Sequence, residues 1–150
     1  MIKFKRFKRF KRFKINSGQA LVEVLFAVGV VGLCLVALIA AVVAAVRNAR
    51  FAKNSALAAQ YAQEGIEVAR QARDEANSWD EFTSNFSGSK GLDSNLNWNG
   101  CDNANVGIFT RCVDFVNNGD RSTVTVTVSW DESGRHHETQ AVTFLTKWSK

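Results

Sequence analysis

An unbroken apolar run constrains this chain more than any other feature. Residues 24–46 are all Val, Leu, Phe, Ala, Ile, Gly or Cys. As a helix, the run would be roughly 35 Å long at about 1.5 Å per residue, and the hydrocarbon core of a bilayer is about 30 Å thick. We therefore predict that it spans a membrane. A cleaved secretory signal is the weaker interpretation, because its apolar core is only about 7–15 residues long.

Basic side chains before the run predict its orientation. Eight of the 19 Lys and Arg residues lie in 1–18, which contains no acid. Positively charged flanks stay in the cytoplasm, so we expect the N-terminus there and the C-terminal part across the membrane. Phe recurs at every third position among these bases, and adhesion of the leader to anionic membrane lipid is the alternative interpretation. The other 11 bases accompany all 14 acids, and this excess of acid argues against nucleic acid as a partner.

The three cysteines limit the number of disulfide bonds that the chain can form. Cys34 lies in the apolar run, whereas Cys101 and Cys112 lie in the polar half of the chain. The odd count allows at most one intramolecular pair, and the predicted topology places the polar half in an oxidising compartment. We therefore favour a Cys101–Cys112 disulfide over two free thiols. No Cys/His cluster has zinc-site spacing, so neither a metal nor a cofactor is predicted.

One carboxylate, Glu23, directly precedes the apolar run. A carboxylate at the bilayer centre costs about 2.5–3.5 kcal/mol on insertion scales. Either Glu23 lies in the first turn of a helix, where the helix dipole favours an acid, or it awaits a cation. Cutting the Gly18–Gln19 bond would create such a cation, an α-amine largely protonated at neutral pH. Amine and carboxylate on adjacent subunits would neutralise each other and fix the register.

At these residues the sequence resembles the type IV pilin family, which includes the pseudopilins of type II secretion. The similar features are the basic leader, Gly18, the apolar helix and the stretch Gln19-Ala20-Leu21-Val22-Glu23. The resemblance implies that prepilin peptidase removes residues 1–18, that Gln19 is N-methylated, and that Glu23 is the assembly glutamate. The chain departs from the family in starting the mature segment with Gln19 rather than Phe or Met. It also contains no proline.

The helix is predicted to continue beyond the membrane through 47–77. This segment is rich in Ala, Gln, Glu and Arg, which favour helices. Apolar residues recur on one helical face (Phe51, Ala58, Ala62, Ile66, Ala69 and Ala76). We expect one rod over 19–76 rather than two helices with a break near Arg47. The segment 62–67, Ala-Gln-Glu-Gly-Ile-Glu, with the Arg residues after it, resembles the helix of minor pilins.

Residues 78–150 are predicted to form a globular head. Asn, Ser and Gly make up about half of 77–107, which is a loop composition. Interspersed aromatic residues indicate that this loop region, 78–107, packs onto another part of the head. An antiparallel sheet is expected in 108–150, with strands at 112–116, 123–130 and 136–145. Residues 123–130 alternate strictly between apolar and hydroxyl side chains, which predicts a half-buried strand.

No catalytic arrangement is visible, so an enzyme is not predicted. His136 and His137 are adjacent, and neighbouring strand residues point to opposite faces. The two imidazoles therefore cannot hold one ion together. We interpret this pair as exposed polar surface beside a turn.

These patterns predict an α+β fold: a long N-terminal helix, with 19–46 as its transmembrane and assembly half, and an antiparallel sheet. The resemblance implies a lollipop-like pilin, a minor subunit of a type IV pilus-like filament, or fimbrium. Its partners would be other pilin subunits, prepilin peptidase and the inner-membrane assembly platform. It would wait in the inner (cytoplasmic) membrane and then enter an extracellular filament. The alternatives are a type II secretion pseudopilin and a signal-anchored surface adhesion domain that does not polymerise.

Overall fold

The computed structural model describes residues 17–148, so the predicted leader lies largely outside the described residues. The chain forms two compact units, Met1–Val46 and Arg47–Lys150. The elements are α1 (Ser17–Glu75), α2 (Trp79–Asn85), β1 (Gly88–Leu92), β2 (Trp98–Asn99), a 3₁₀ helix (Cys101–Asn103), β3 (Asn105–Val106), β4 (Phe109–Asn118), β5 (Arg121–Glu132) and β6 (Arg135–Thr146).

Helix α1 is one uninterrupted element of 59 residues, Ser17–Glu75. This confirms the predicted continuous helix and contradicts a break near Arg47. Its composition explains the continuity, because no proline occurs and good helix formers dominate the polar half. The part of α1 in the first unit is long and apolar enough to cross a membrane.

In the second unit, the outer part of α1 packs on the sheet through small side chains. Ala58, Ala62, Ile66 and Ala69 are buried, as the periodicity predicts. A Cβ built on Gly65 would lie only 2.8 Å from Val126 Cγ1, so the helix and β5 approach closely at this glycine. The prediction of a buried face does not hold at its two ends. Phe51 is 45% exposed, and Ala76 lies beyond the end of the helix.

The sheet has six antiparallel strands in the order β2-β1-β4-β5-β6, and β3 pairs with β4. The predicted three-strand meander is the β4-β5-β6 part of it. Val126 lies opposite Val113 on one side and Ala141 on the other. Strand β5 alternates as predicted, and its inward side chains (Val124, Val126, Val128 and Trp130) are all buried.

The prediction of a loop throughout 78–107 is wrong. Helix α2 begins there with Ser78 as its N-cap, whose side chain accepts a hydrogen bond from Glu81 N, and it buries Trp79 and Phe82. Strand β1 pairs with β4 although it contains two glycines. A side chain on Gly91 would collide with Gly100 O and Ala104 Cβ, so close backbone packing, rather than a turn, requires this glycine.

Candidate functional site

The predicted processing and assembly residues all lie near the start of α1. Gly18 is exposed, and a Cβ added to it would meet nothing within 4 Å. Gln19 lies in the helix one turn before Glu23, about 6 Å along the axis. Glu23 is exposed, and it has no hydrogen-bond or ion-pair partner in the described range 17–148. Cleavage after Gly18 and methylation of Gln19 remain predictions.

Both explanations for Glu23, the helix dipole and an awaited cation, remain predictions. The described part of α1 starts at Ser17 and has no acidic residue in its first turn. Glu23 lies in the second turn of this part. It is also the one charged residue in 17–46. An unpaired acid in a membrane-spanning segment is costly, and no cation in residues 17–148 pairs with Glu23.

Large apolar side chains are exposed around the circumference of α1 in the first unit. Their exposed fractions range from 44% for Val30 to 76% for Phe26. A helix that is apolar on every side is stable only when lipid or other helices surround it. This surface therefore needs a cover that residues 17–46 do not supply. It comprises Leu21, Val22, Val24, Leu25, Phe26, Val28, Val30, Val31, Leu33, Leu35, Val36, Leu38, Ile39, Val42, Val43 and Val46.

The predicted disulfide is present between Cys101 and Cys112. It joins the 3₁₀ helix to β4, with Cα atoms 5.2 Å apart and a sequence separation of 11. Cys34 is an exposed free cysteine in α1. The bond stabilises the second unit, since closing a loop of about this length contributes on the order of 3 kcal/mol.

A buried arginine was not predicted from the sequence. Arg111 of β4 is fully buried, and its guanidinium bonds to three backbone carbonyls and one carboxylate. Nη1 donates to Glu64 Oε2 (2.7 Å) and to the carbonyl of Tyr61 (3.3 Å), both on α1. Nε and Nη2 donate to the carbonyls of Leu92 (3.2 Å) and Asp93 (2.9 Å) at the end of β1. Arg111 therefore connects α1, β1 and β4.

The turn after β1 is organised by the carboxylate of Asp93. Its Oδ1 accepts hydrogen bonds from Asn95 N (2.8 Å) and Asn97 N (2.9 Å), and Oδ2 accepts one from Asn99 Nδ2 (3.0 Å). These bonds favour the charged form, and the backbone bond from Asn97 contributes most to lowering the pKa of Asp93. The Asp93 carboxylate therefore stabilises this turn.

The two histidines lie on opposite faces of β6, as predicted, but the interpretation of both as exposed surface is wrong for His137, which is half-buried. His136 Nδ1 is 3.0 Å from Asp131 Oδ1 on the exposed face. His137 stacks on Trp130, with ring centroids 5.4 Å apart, and also contacts Phe51 at 5.1 Å. Within residues 17–148 no group of three or more His, Cys, Asp or Glu side chains could hold a metal ion.

Comparison with known proteins gives no relative. No protein-family model matches the chain, and no curated protein or solved structure matches it significantly. The structure itself defines an α+β chain with one long N-terminal helix, apolar in its first half, and a C-terminal antiparallel sheet of six strands.

Proposed function

We propose that this chain is a minor structural subunit of a type IV pilus-like surface filament. The observation that carries the proposal is the apolar helix 20–46, which exposes its large side chains and contains no charge after Glu23. Such a helix is soluble in lipid and can pack laterally against identical or related helices. The work of the protein is then mechanical and adhesive rather than catalytic.

Removal of the leader prepares the subunit for assembly. Prepilin peptidase cuts after Gly18, and the new amine of Gln19 is N-methylated. In the low dielectric of the filament core, this amine and Glu23 of a neighbouring subunit neutralise each other. A misaligned neighbour leaves both charges unpaired and desolvated, so the pair selects one axial register.

The second unit is the head that decorates the filament. The Cys101–Cys112 disulfide favours an oxidising compartment for it. The leader carries eight bases, compared with Arg47, Arg50 and Lys53 shortly after the apolar run. This asymmetry favours a single-pass intermediate in the inner membrane with its N-terminus in the cytoplasm. The assembly platform then extracts the subunit into the extracellular filament.

The test compares two glutamate-to-glutamine variants in cells with active prepilin peptidase. Glu23→Gln removes the assembly charge, whereas Glu138→Gln removes an exposed charge on β6. We expect Glu23→Gln to remain in the membrane and to fall at least about tenfold in sheared filaments, whereas Glu138→Gln assembles normally. Normal filament incorporation of Glu23→Gln would overturn the proposal.

Mass spectrometry of the membrane-extracted chain tests processing separately. The proposal expects a mature chain that starts at methylated Gln19. An intact leader in the presence of active peptidase would favour the signal-anchored surface domain. A correctly processed chain whose deletion abolishes protein secretion, with no filament containing it outside the cell, would favour the type II secretion pseudopilin.

A further inference from the structure

A basic pocket of about 410 Å³ lies within the second unit, where the β5–β6 hairpin faces α1. Both elements contribute a cation, a polar side chain and an aromatic ring. The pocket does not involve the disulfide or Arg111. Its lining residues are Arg47, Asn48 and Phe51 from α1, and Glu132, Ser133, Arg135 and His137 from the hairpin.

The hairpin turn determines which side chains face the pocket. Ser133 and Gly134 both have positive φ angles, 54° and 74°, as a tight two-residue hairpin turn requires. The turn sets Glu132 opposite Arg135 in the strand register. Residues of one strand alternate between faces, so Arg135 shares the helix-facing side with His137. The turn thereby directs Arg135 towards α1.

The helical period directs Arg47 towards the hairpin. Arg47 precedes the buried Ala58 by eleven residues, about three full helical turns. Arg47 thus lies on the core-facing side of α1, where an apolar residue is usual. Phe51 continues the same face, and its ring contacts His137. Lys53 lies on the opposite side of the helix.

The two arginines of the pocket lack partners. Neither Arg47 nor Arg135 forms an ion pair or side-chain hydrogen bond with any residue in 17–148. The adjacent acid, Glu132, already accepts a hydrogen bond from Asn54 Nδ2 at 3.1 Å. Both arginine side chains are exposed, whereas the buried Arg111 pairs with Glu64 and the half-buried Arg73 pairs with Asp74. Two unpaired guanidiniums therefore line one pocket and are available to an anionic ligand.

We propose that this pocket binds the phosphodiester of a phospholipid headgroup. A planar guanidinium matches two phosphate oxygens at once, and Arg47 and Arg135 supply two such forks. The Ser133 hydroxyl and the Asn48 amide are further donors. Two arginines and one carboxylate give the pocket a net charge of +1 before any contribution from His137. This charge suits the single negative charge of a diester better than the larger charge of a phosphomonoester.

The position of Arg47 in the sequence identifies the membrane as the source of the phosphate. Arg47 is the first residue after the apolar run 24–46. With that run in a bilayer, the Arg47 guanidinium is at the level of the headgroups. Phe51 offers an apolar surface beside the donors for the glycerol backbone. The pocket would then hold the head at the membrane surface before assembly.

The experiment uses the purified full chain in an uncharged detergent, titrated with dihexanoyl phosphatidylglycerol. Tryptophan fluorescence reports binding, since Trp130 contacts both Phe51 and His137. We expect saturable binding that weakens about tenfold or more in Arg47→Ala and in Arg135→Ala. Lys53→Ala removes one charge from the opposite helix face and should stay within about twofold of the parent chain. Circular dichroism verifies that each variant is folded.

Two soluble ligands distinguish the sources of the phosphate. Glycerophosphoglycerol carries the same diester without acyl chains, and inorganic phosphate carries the larger charge. Weaker binding of both than of the lipid supports the headgroup assignment, whereas equal binding of the soluble diester overturns the membrane as source. Unchanged lipid affinity in both arginine variants, or an equal loss in Lys53→Ala, overturns the pocket itself. The filament proposal is unaffected by these results, because Glu23→Gln tests it by a different readout.

Discussion

Arg111 Nη1 donates to Glu64 Oε2 across 2.7 Å, yet the two side chains differ greatly in exposure. The Arg111 side chain is fully buried, and that of Glu64 is 45% exposed. Three carbonyl groups share the guanidinium, so its charge is satisfied mainly by the backbone of α1 and β1. The pair therefore acts as a polar connection at the centre of the second unit.

Replacing Arg111 should be far more damaging than replacing Glu64. Arg111→Met leaves three carbonyls without their donor, and we expect a loss of about 3 kcal/mol or more in the free energy of unfolding. Glu64→Gln keeps an acceptor and loses only charge, so about 1 kcal/mol is expected. Urea denaturation followed by tryptophan fluorescence measures both.

A second glutamine variant is the control for this pair. Glu67 also pairs with an arginine of α1, Arg70, at 2.6 Å, but both side chains are substantially exposed. Glu67→Gln should change stability by no more than about 0.5 kcal/mol. Equal effects of the Glu64 and Glu67 variants, with a mild Arg111→Met, would contradict a connecting role for Arg111.

Gly65→Ala should destabilise the second unit even though alanine favours helices. The added methyl would lie 2.8 Å from Val126 Cγ1, so α1 or β5 has to move. We expect a loss of about 1–3 kcal/mol, reduced by up to about 1 kcal/mol of helix propensity. Gly100→Ala is the control, because a Cβ there meets nothing within 4 Å and its φ of −71° suits alanine. Thermal unfolding of the two variants should differ clearly.

Reducing the disulfide should weaken the second unit without unfolding α1. Cys101→Ser with Cys112→Ser should lower the free energy of unfolding by about 2–4 kcal/mol, because the denatured chain regains freedom. Cys34→Ser lies in the other unit and should leave the same transition unchanged. A reductant should lower the free energy of unfolding of the parent chain but not that of the Cys101/Cys112 double variant. Equal losses in both would contradict a stabilising role for the disulfide.

Asp93 should make stability depend on pH in the acid range. Hydrogen bonds lower the pKa of Asp93 in the folded chain, so the folded state binds its proton less readily than the unfolded state. The stabilisation is fully present above the ordinary value of about 3.9, and it is lost as the pH falls below that value through the folded pKa. Unfolding measured between pH 6 and pH 2 should show this loss.

Asp93→Asn should remove part of that acid sensitivity and cost stability at neutral pH. Asp102→Asn is the matched control, since Asp102 is exposed in the 3₁₀ helix and forms no hydrogen bond within the described range. We expect the stability curve of the Asp102 variant to parallel that of the parent chain. Parallel curves for both variants would show that the Asp93 turn does not contribute.

Features governed by local periodicity could be predicted from the sequence. The alternation in 123–130 identified the buried face of β5, and the interval between the strands predicted at 123–130 and 136–145 located the β5–β6 hairpin. The apolar run and the Ala-rich segment after it predicted one long helix. In each case neighbouring residues alone determine which face is apolar, so a linear pattern carries the information.

Features governed by tertiary contacts could not be predicted. Position 111 follows the inward alternation of Phe109 and Val113, but an arginine there is satisfied only by carbonyls from distant elements. Strand β1 escaped prediction because its glycines indicate a turn until the approach of Gly100 and Ala104 is known. The basic pocket joins residues about ninety positions apart in the chain, Arg47 and Arg135.

The contact of Gly65 with Val126 has a mechanical consequence. A methyl group of the strand lies directly over Gly65, the one glycine of α1 in the second unit, so α1 cannot slide along β5 without a steric clash. Tension applied along the outer part of α1 would push the helix against this contact. The bonds from Arg111 to Tyr61 and Glu64 of α1 would resist the same movement. A fibre built from such subunits would resist pulling through shape as well as through hydrophobic adhesion.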